Sequence, residues 1–413
     1  MRHNPVTHPR LSSVQAFWLS RVVCRPSGLA DPPGGVWALL ERKDCVVVGA
    51  GVVGLAIERA LALRGLEVLV LVEEDAIGTA TSSRNSEVVH AGLYYPRDWL
   101  KTMLCVRGRV ALYDYCGSRG IQVRRLGKLV IAVDEGEVMH LRHLMAQARG
   151  NGVPVEWLDQ AAVRQREPAL RACAGLWSPE SGIVDSHGLM VSLQGDLEAH
   201  GGFVVLRSPV TGGRVSRNGN HEISVEGSGD VRCRMLVNAA GLGAQALARR
   251  LQGIGEARIP PQLLVKGHYF YLSGPSPFRH LVYRVPGRHS AGIHVTPDIA
   301  GRARFGPDAH VVDALDYQFD ERRRAVFVED IRRYWPGVTA ERLEQGYTGI
   351  RPQLRHAAGE RPDYVIDGPA DHGVSGLVNL YGIESPGLTA SLAIGEWVAG
   401  LLEDHRSRQA ASA

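Results

Sequence analysis

The hydrophobic residues between positions 44 and 71 follow two different patterns. Residues 45–48 and 68–71 are short apolar runs rich in valine, which is typical of strands that are buried on both faces. Between them, the apolar residues of segment 55–64 recur with helical spacing, and Gly65 is a helix stop signal. This segment therefore predicts a strand, a helix and a second strand parallel to the first.

A glycine-rich turn joins the first of these strands to the helix. Gly49, Gly51 and Gly54 have the spacing G-x-G-x-x-G. The first glycine permits a tight turn, the second lets a diphosphate approach the backbone, and the third lets the helix pack closely on the strand. Unpaired N–H groups at the start of the helix and its positive dipole end attract the same diphosphate. The turn therefore predicts a dinucleotide-binding unit.

The pattern changes in the middle of the chain. From residue 259 to about residue 346, short alternating runs with aromatic residues are separated by proline and glycine turns, which favours an antiparallel sheet. The other predicted elements are strands over 128–133, 203–206, 235–240 and 377–381, helices over 137–149, 186–200 and 388–402, and a glycine-bearing loop over 382–387. The chain shows no internal repeat.

These elements predict an α/β fold, α+β overall, in which a Rossmann-like nucleotide-binding domain is interrupted by a mostly antiparallel β substrate domain. The predicted boundaries are 44–125, 186–250 and 346–403 for the nucleotide-binding domain, 126–185 and 251–345 for the substrate domain, 1–43 for a disordered leader and 404–413 for a tail.

Composition and charge exclude several classes of protein. The 413 residues are 45% hydrophobic and 22% charged, and the net charge of +4 is spread along the chain without a basic stripe, so we expect no nucleic-acid partner. The longest uncharged run, residues 235–248, is too short to cross a membrane. The six cysteines form neither a C-x-x-C pair nor a Cys/His cluster, so we expect no metal. We expect a cytoplasmic protein, with peripheral association at the inner face of the membrane left open.

Three longer motifs carry a family resemblance. They are SSRNSEVVHAGLYYP at 82–96, GYTGIRP at 346–352 and GLVNLYGIESPGLTASL at 376–392. With the glycine turn, they resemble the L-2-hydroxyglutarate dehydrogenase/oxidase family of the FAD-dependent D-amino-acid oxidase superfamily, and the likeness runs from about residue 44 to residue 402. The resemblance implies an FAD-binding fold and oxidation of a small L-2-hydroxy acid, typically 2-hydroxyglutarate to 2-oxoglutarate.

The resemblance also implies which residues hold FAD. They are Gly49, Gly51, Gly54, Glu73, Ser82, Ser83, Asn85, Val210, Ala240, Gly241, Gly382, Ser385, Pro386, Gly387 and Leu388. We expect Ser385, Pro386 and Gly387 to open the last helix, whose N-terminus would stabilise negative charge on the reduced flavin.

Two positions depart from the family pattern. The acidic residue that normally ends the second strand and binds the ribose hydroxyls is Val72 in this chain, and Glu73 follows it. Side chains alternate in direction along a strand, so Glu73 replaces that residue only where the strand ends early. This departure predicts weaker FAD binding than in typical relatives. The second departure is Gln353, where relatives often have lysine after Arg-Pro.

Two kinds of side chain are expected at the reacting end. The resemblance implies that Arg351 holds the substrate carboxylate, because a guanidinium donates two parallel hydrogen bonds to it. An alcohol loses hydride more readily when a base of near-neutral pKa takes its O–H proton, and we expect His90 to be that base. His268 and His294 are the alternative bases, and His90 could instead contact the flavin or carry it covalently.

The sequence leaves the activity open between three functions. The first is a flavoenzyme that oxidises a 2-hydroxy acid or small dicarboxylate and passes electrons to oxygen or a quinone. The second is an amino-acid or amine oxidase or dehydrogenase on the same fold, which Arg351 would serve equally well. The third is a protein that binds FAD without turnover.

Overall fold

The computed structural model describes residues 43–285, 292–357 and 362–412, with side chains through residue 403. Apart from Lys43, the predicted leader lies outside the described residues. The strands are β1 (Lys43–Val48), β2 (Val68–Leu71), β3 (Val88–Val89), β4 (Val123–Arg124), β5 (Lys128–Ala132), β6 (Glu156–Asp159), β7 (Ala174–Ser178), β8 (Gly182–Val184), β9 (Phe203–Val205), β10 (Val210–Arg214), β11 (His221–Val225), β12 (Gly229–Asn238), β13 (Leu251–Gln252), β14 (Gln262–Leu272), β15 (Leu281–Arg284), β16 (Val295–Pro297), β17 (Ala303–Phe305), β18 (His310–Val312), β19 (Leu343–Leu354), β20 (Val365–Asp367) and β21 (Leu377–Tyr381). The helices are α1 (Val52–Ala62), α2 (Leu100–Arg119), α3 (Glu135–Gly150), α4 (Gln160–Arg166), α5 (Ser186–Ala199), α6 (Ala244–Arg250), α7 (Arg323–Arg332), α8 (Pro369–His372) and α9 (Gly387–Ser412).

The first sheet has a parallel centre. Its parallel strands lie in the order β9, β2, β1, β12 and β21. The antiparallel strands β10 and β11 extend it beside the first half of β12, and β20 pairs antiparallel with β21. The carboxyl ends of β1, β2 and β12 coincide, since Val48 pairs with both Leu71 and Asn238. The predicted strand, glycine turn, helix and strand are confirmed, and so is the α/β fold class.

The second sheet is almost entirely antiparallel. Its strands follow the order β18, β14, β17, β16, β15, β5, β7 and β6, and only β5 and β15 are parallel. β19 joins it by pairing with β14 from Leu354 opposite Gln262 to Leu343 opposite Leu272. Residues 346–354 therefore belong to the antiparallel sheet, although the predicted boundary placed them in the nucleotide-binding domain. The partner of this segment, β14, is distant in sequence, so the pairing leaves no local signal in the motif 346–352. The other domain boundaries stay a prediction.

Five of the described helices were missed in the sequence: α2, α4, α6, α7 and α8. In α2 the periodic pattern is broken because charged residues occupy buried positions. Lys101 is buried against Glu384 (3.0 Å), and Arg109 is buried where it donates to the carbonyl of Ala91 (3.1 Å). A small third sheet of β3, β8 and β4 lies beside this helix.

The last helix, α9, packs against α1 and α2. Two glycines allow this contact, because a Cβ atom at Gly395 would lie 2.4 Å from the carbonyl oxygen of Ala56, and one at Gly108 would lie 2.4 Å from that of Thr389. The helix runs through Ser412, beyond the predicted end at residue 402, so residues 404–412 are helical and not a separate tail. No helix in the described part of the chain combines the length and the apolar character needed to cross a membrane.

Candidate active site

A cavity of about 1180 Å³ lies at the carboxyl ends of the parallel strands, and residues of both large sheets line it. This is where ligands bind in open α/β sheets. Its volume exceeds the roughly 300–1,000 Å³ of most small-molecule pockets, which suits a dinucleotide together with a substrate. The predicted site residues that line it are Gly49, Gly51, Gly54, Glu73, Ser82, Asn85, His90, Val210, Ala240, Gly241, His294, Arg351, Ser385, Pro386, Gly387 and Leu388.

Three predicted site residues do not line the cavity: Ser83, Gly382 and His268. The Ser83 hydroxyl donates to the carbonyls of Thr79 (3.1 Å) and Ala80 (3.3 Å) at the surface. Gly382 has φ +68°, and a side chain there would meet Leu354 of β19 at 2.7 Å, so this glycine serves the turn after β21.

The glycine turn forms a cradle for a diphosphate. Gly49 has φ +106°, and a Cβ atom at Gly54 would lie 1.9 Å from its carbonyl oxygen, so no side chain fits at position 54. Gly51 is the N-cap of α1 and makes no side-chain capping bond. The Val52 N–H donates to the Ser82 hydroxyl at 3.0 Å, which brings the start of the 82–96 motif over the helix N-terminus. Ser82 thus uses the first N–H group of α1, and the N–H groups of Val53 and Gly54 behind it are the ones that suit an anion.

The end of β2 shows how Val72 and Glu73 are placed, where relatives have an acidic residue at the end of the strand. The strand ends at Leu71, but Val72 still donates to the carbonyl of Val205 (3.0 Å), and its side chain is buried in the core. Glu73 is exposed and lines the cavity. The strand thus ends before Glu73, whose side chain lies exposed at the cavity. A contact between Glu73 and the ribose stays a prediction.

His90 follows β3 and is held by the last helix. Its N–H donates to the Thr389 hydroxyl (2.9 Å), which in turn donates to the carbonyl of Val88 (3.2 Å). In the His90 ring, Nδ1 lies 3.5 Å from Nζ of Lys128, and Nε2 lies 3.2 Å from Oγ of Ser385. The ring opens to the cavity but is largely shielded from bulk water. This desolvation lowers the pKa of His90 well below its ordinary value, and Lys128 adds to the effect, so the ring is neutral, with a pKa below the near-neutral value expected of the base.

Ser385, whose hydroxyl lies next to Nε2 of His90, lies two residues before the start of α9. The helix begins at Gly387, so Pro386 directly precedes it, and the carbonyl of Pro386 accepts from the Ala390 N–H at 3.0 Å. The N-terminus of α9 borders the cavity, since Ser385, Pro386 and Gly387 all line it.

Arg351 lies on β19 with its guanidinium at the cavity. Nη2 donates to the carbonyl of Asp308 at 3.2 Å, and no carboxylate of the described residues lies within 4.0 Å of it. Arg284, which also lines the cavity, differs because Glu137 and Asp330 both pair with it. Arg351 is therefore free to bind a carboxylate from outside the chain.

The two alternative bases lie in different surroundings. His294 lines the cavity, stacks on Tyr283 with a centroid distance of 3.7 Å, and has a buried Nδ1 atom without a partner in the described structure. Burial lowers its pKa well below the ordinary value, with Lys128 and Arg351 adding to the shift. His294 therefore stays an alternative.

His268 is wrong as a candidate base. It is fully buried, its Nε2 accepts from the Asp320 N–H (3.3 Å), and its Nδ1 lies 3.2 Å from Asp308. Both ring nitrogens are thus occupied by residues of loops beside the antiparallel sheet, and the ring does not line the cavity. Asp308 and the neighbouring His310 could offer metal ligands with His268, but Asp308 also pairs with Arg323 (2.7 Å), so its oxygens are already taken.

Sequence reasoning missed Lys128, the first residue of β5. Lys128 is fully buried behind the cavity wall, with Nζ 3.9 Å from the ring centroid of Tyr283. Burial lowers the pKa of Lys128 to about 7. The available signal was a lysine at the start of a strongly apolar predicted strand, in a chain that has only four lysines.

A sequence model of the FAD dependent oxidoreductase family matches residues 44–401. The chain belongs to this family. The mitochondrial L-2-hydroxyglutarate dehydrogenase of Arabidopsis thaliana is 42% identical, over 87% of this chain and 83% of that protein. The human protein of the same name is 29% identical, over 86% of this chain and 88% of its own. The resemblance stated from the motifs is confirmed.

Solved structures show the same FAD oxidoreductase fold. L-α-glycerophosphate oxidase from Mycoplasma pneumoniae with FAD bound superimposes with a TM-score of 0.81 at 22% identity, over 88% of this chain and 95% of that one. Glycine oxidase from Geobacillus kaustophilus gives a TM-score of 0.75 at 22% identity, with the same two coverages.

As a member of the FAD dependent oxidoreductase family, the protein uses FAD, and its residues fit that cofactor. The side-chain-free cradle at Gly49, Gly51 and Gly54 suits the diphosphate, and the N-terminus of α9 suits the flavin end. The expectation of a cytoplasmic location is wrong, because the curated relatives in Arabidopsis thaliana, human and cow are named as mitochondrial enzymes. Composition and cysteine spacing do not distinguish the two compartments.

Proposed function

We propose that this protein oxidises L-2-hydroxyglutarate to 2-oxoglutarate with FAD as its cofactor. The curated relatives that it matches over most of its length are named for this substrate. The observation that carries the proposal is the free guanidinium of Arg351 in the same cavity as the neutral ring of His90. Together they supply a carboxylate-binding group and a base for a 2-hydroxy acid.

The charge at this end of the cavity suits a carboxylate. Arg351 lies near enough to His294 to lower the pKa of its ring, and no carboxylate of the described residues pairs with Arg351. Arg351 would take the carboxylate next to the hydroxyl through two parallel hydrogen bonds. Arg284 is already paired with Glu137 and Asp330, and Lys128 has a pKa of about 7, so the second carboxylate of the substrate is proposed from the names of the curated relatives.

The chemistry needs one proton transfer and one hydride transfer. FAD, when bound, accepts the hydride that leaves C2 of the hydroxy acid. His90 accepts the hydroxyl proton at Nε2, the nitrogen that faces Ser385 (3.2 Å). Arg351 holds the substrate so that its hydroxyl stays within reach of that nitrogen. We further propose oxygen or a quinone as the electron acceptor, because the sequence carries one G-x-G-x-x-G turn and no second one for a nicotinamide nucleotide.

Anaerobic titration of the FAD-loaded protein tests this function. L-2-hydroxyglutarate should remove the absorbance band of oxidised flavin, while D-2-hydroxyglutarate and L-glutamate should leave it. Bleaching by L-glutamate instead would make the protein an amino-acid oxidase, and no bleaching by any 2-hydroxy acid would reject the proposal.

Arg351→Lys tests the carboxylate site. An ammonium cannot donate two parallel bonds to one carboxylate, so we expect a loss of about 1.5–3 kcal/mol, or roughly a 10- to 150-fold rise in KM, with FAD retained. The matched control is Arg250→Lys, since Arg250 lines the cavity from α6 and its side chain donates to the carbonyl of Ala246 in its own helix (3.3 Å). Equal KM values for the two variants would remove Arg351 from the site.

A further inference from the structure

Lys128 is buried where a charged ammonium has little to stabilise it. Its side chain is fully buried, and no carboxylate of the described residues lies within 4.0 Å of Nζ. Lys101 and Lys266, which are also buried, pair with Glu384 and Asp316 at 3.0 Å each. The only hydrogen-bond partner of the Lys128 Nζ atom among the described residues is Nδ1 of His90 at 3.5 Å. A buried lysine is costly, so an unpaired one calls for a functional reason.

We propose that Lys128 is a positioning residue that exchanges a proton with His90, so that the two side chains form a relay leading away from the substrate hydroxyl. This inference rests on the proposed function, in which His90 is the base. The hydroxyl proton of the substrate moves to Nε2 of His90 while the proton on Nδ1 moves to the neutral amine of Lys128. His90 remains neutral throughout and Lys128 becomes an ammonium.

The relay gives His90 a definite tautomer before the reaction. A neutral Lys128 amine accepts a hydrogen bond from the Nδ1–H group of His90, which leaves the Nε2 lone pair facing the cavity. A protonated Lys128 instead donates to Nδ1, so the proton of His90 sits on Nε2 and the base is blocked. After the product leaves, Lys128 returns its proton to Nδ1 and Nε2 releases one to water in the cavity.

The surroundings of Lys128 allow both of its charge states. Tyr283 from β15 lies with its ring centroid 3.9 Å from Nζ, Tyr94 lies 5.4 Å away, and both rings favour the cation. Cys105 from α2 also raises the pKa of Lys128. The other titratable neighbours of Lys128 are His90 and His294. Desolvation is the largest effect and lowers the pKa of Lys128 to about 7, so both states are populated near neutral pH.

Histidine NMR of the FAD-loaded protein tests the relay without turnover. With ¹⁵N-labelled histidine, the ring of His90, assigned by its loss in His90→Asn, should stay neutral but change from the Nε2–H to the Nδ1–H tautomer as the pH rises through about 7. Lys128→Met and Lys128→Arg should both abolish this change, because neither side chain exchanges a proton near pH 7. Lys266→Met is the control, since Lys266 is a buried lysine of the same sheet, and it should leave the change intact.

Flavin reduction supplies the second readout. The parent rate should rise with pH through a limb near 7, and both Lys128 variants should lose that limb and react roughly 10- to 100-fold more slowly, within the range for general acid–base groups. A single tautomer of His90 at all pH values, or the parent limb surviving in Lys128→Arg, would overturn the relay. A tautomer change without bleaching by L-2-hydroxyglutarate would keep the relay and reject the proposed substrate.

Discussion

Glu58 is a second buried ionisable residue without a charged partner. It lies on α1, is fully buried, and neither carboxylate oxygen has a hydrogen-bond partner in the described part of the chain. Burial raises the pKa of Glu58 well above its ordinary value, and the nearby Glu198 raises it further. The folded protein therefore favours the protonated form of this carboxyl group more than the unfolded chain does.

This residue makes the free energy of unfolding depend on pH. Below an ordinary glutamate pKa of about 4.3, Glu58 is protonated in both states and contributes no pH dependence. As the pH rises, the unfolded chain loses this proton while the folded chain keeps it, so stability falls until the folded pKa is reached. We expect Glu58→Gln to remove this loss, with an advantage over the parent that grows by up to about 1.4 kcal/mol per pH unit.

Denaturant unfolding of the parent and Glu58→Gln between pH 4 and pH 8 measures this difference. The control is Glu226→Gln, because Glu226 is exposed in the turn between β11 and β12. A gap between Glu58→Gln and the parent that stays constant with pH would mean that Glu58 is ionised in the fold.

The difference between local and long-range contacts explains which site residues could be predicted. Gly49, Gly51 and Gly54 were found because their spacing alone defines the turn. His268 and His90 look alike in sequence, and only the fold shows that Asp308 and the Asp320 N–H occupy both nitrogens of the first. Long-range neighbours, which decide the pKa and the availability of a side chain, leave no local signal.

At the scale of elements, the tight crossing of α9 over α1 links the last helix to the cofactor cradle. A Cβ atom at Gly395 would lie 2.4 Å from the carbonyl oxygen of Ala56, which belongs to the helix whose N-terminus forms the cradle. We expect Gly395→Ala to force the helices apart, to lower the free energy of unfolding by about 1–3 kcal/mol and to weaken FAD binding.

The matched control is Gly400→Ala on the same helix, where an added Cβ meets nothing within 4 Å. That variant should be more stable than the parent by up to about 1 kcal/mol, because alanine favours a helix interior over glycine. Thermal unfolding and fluorescence titration of the apoprotein with FAD measure both effects. Equal stability of the two variants would show that α9 has room at Gly395.

Elements were predictable where the hydrophobic pattern is regular, and a helix was missed where buried charged residues interrupt that pattern. The βαβ unit and the strand Leu377–Tyr381 match their predictions because buried apolar runs define them. α2 was missed because Lys101 and Arg109 occupy buried positions that an amphipathic pattern would give to apolar residues.

At the scale of the whole molecule, the cavity joins the two sheets. The parallel sheet contributes the glycine cradle, and the antiparallel sheet contributes residues 349–353 of β19 together with Tyr283 and His294. This arrangement was predictable in outline from the change of pattern at residue 259. The position of β19 was not, because its pairing with β14 spans about eighty residues of sequence.

A cofactor that touches both sheets should stabilise both of them. At a free FAD concentration of 100 times Kd, binding to the folded state alone adds about 2.7 kcal/mol, which corresponds to roughly 100-fold slower exchange of amides that open only when the site is lost. We therefore expect FAD to slow hydrogen exchange in β19 as well as in α1. Peptides from β6, at the far edge of the antiparallel sheet, supply the internal control and should change least. Mass spectrometry of the apoprotein with and without FAD makes the comparison. If exchange slows in α1 while β19 behaves like β6, the parallel sheet alone is stabilised by the cofactor, and the expectation for β19 is wrong.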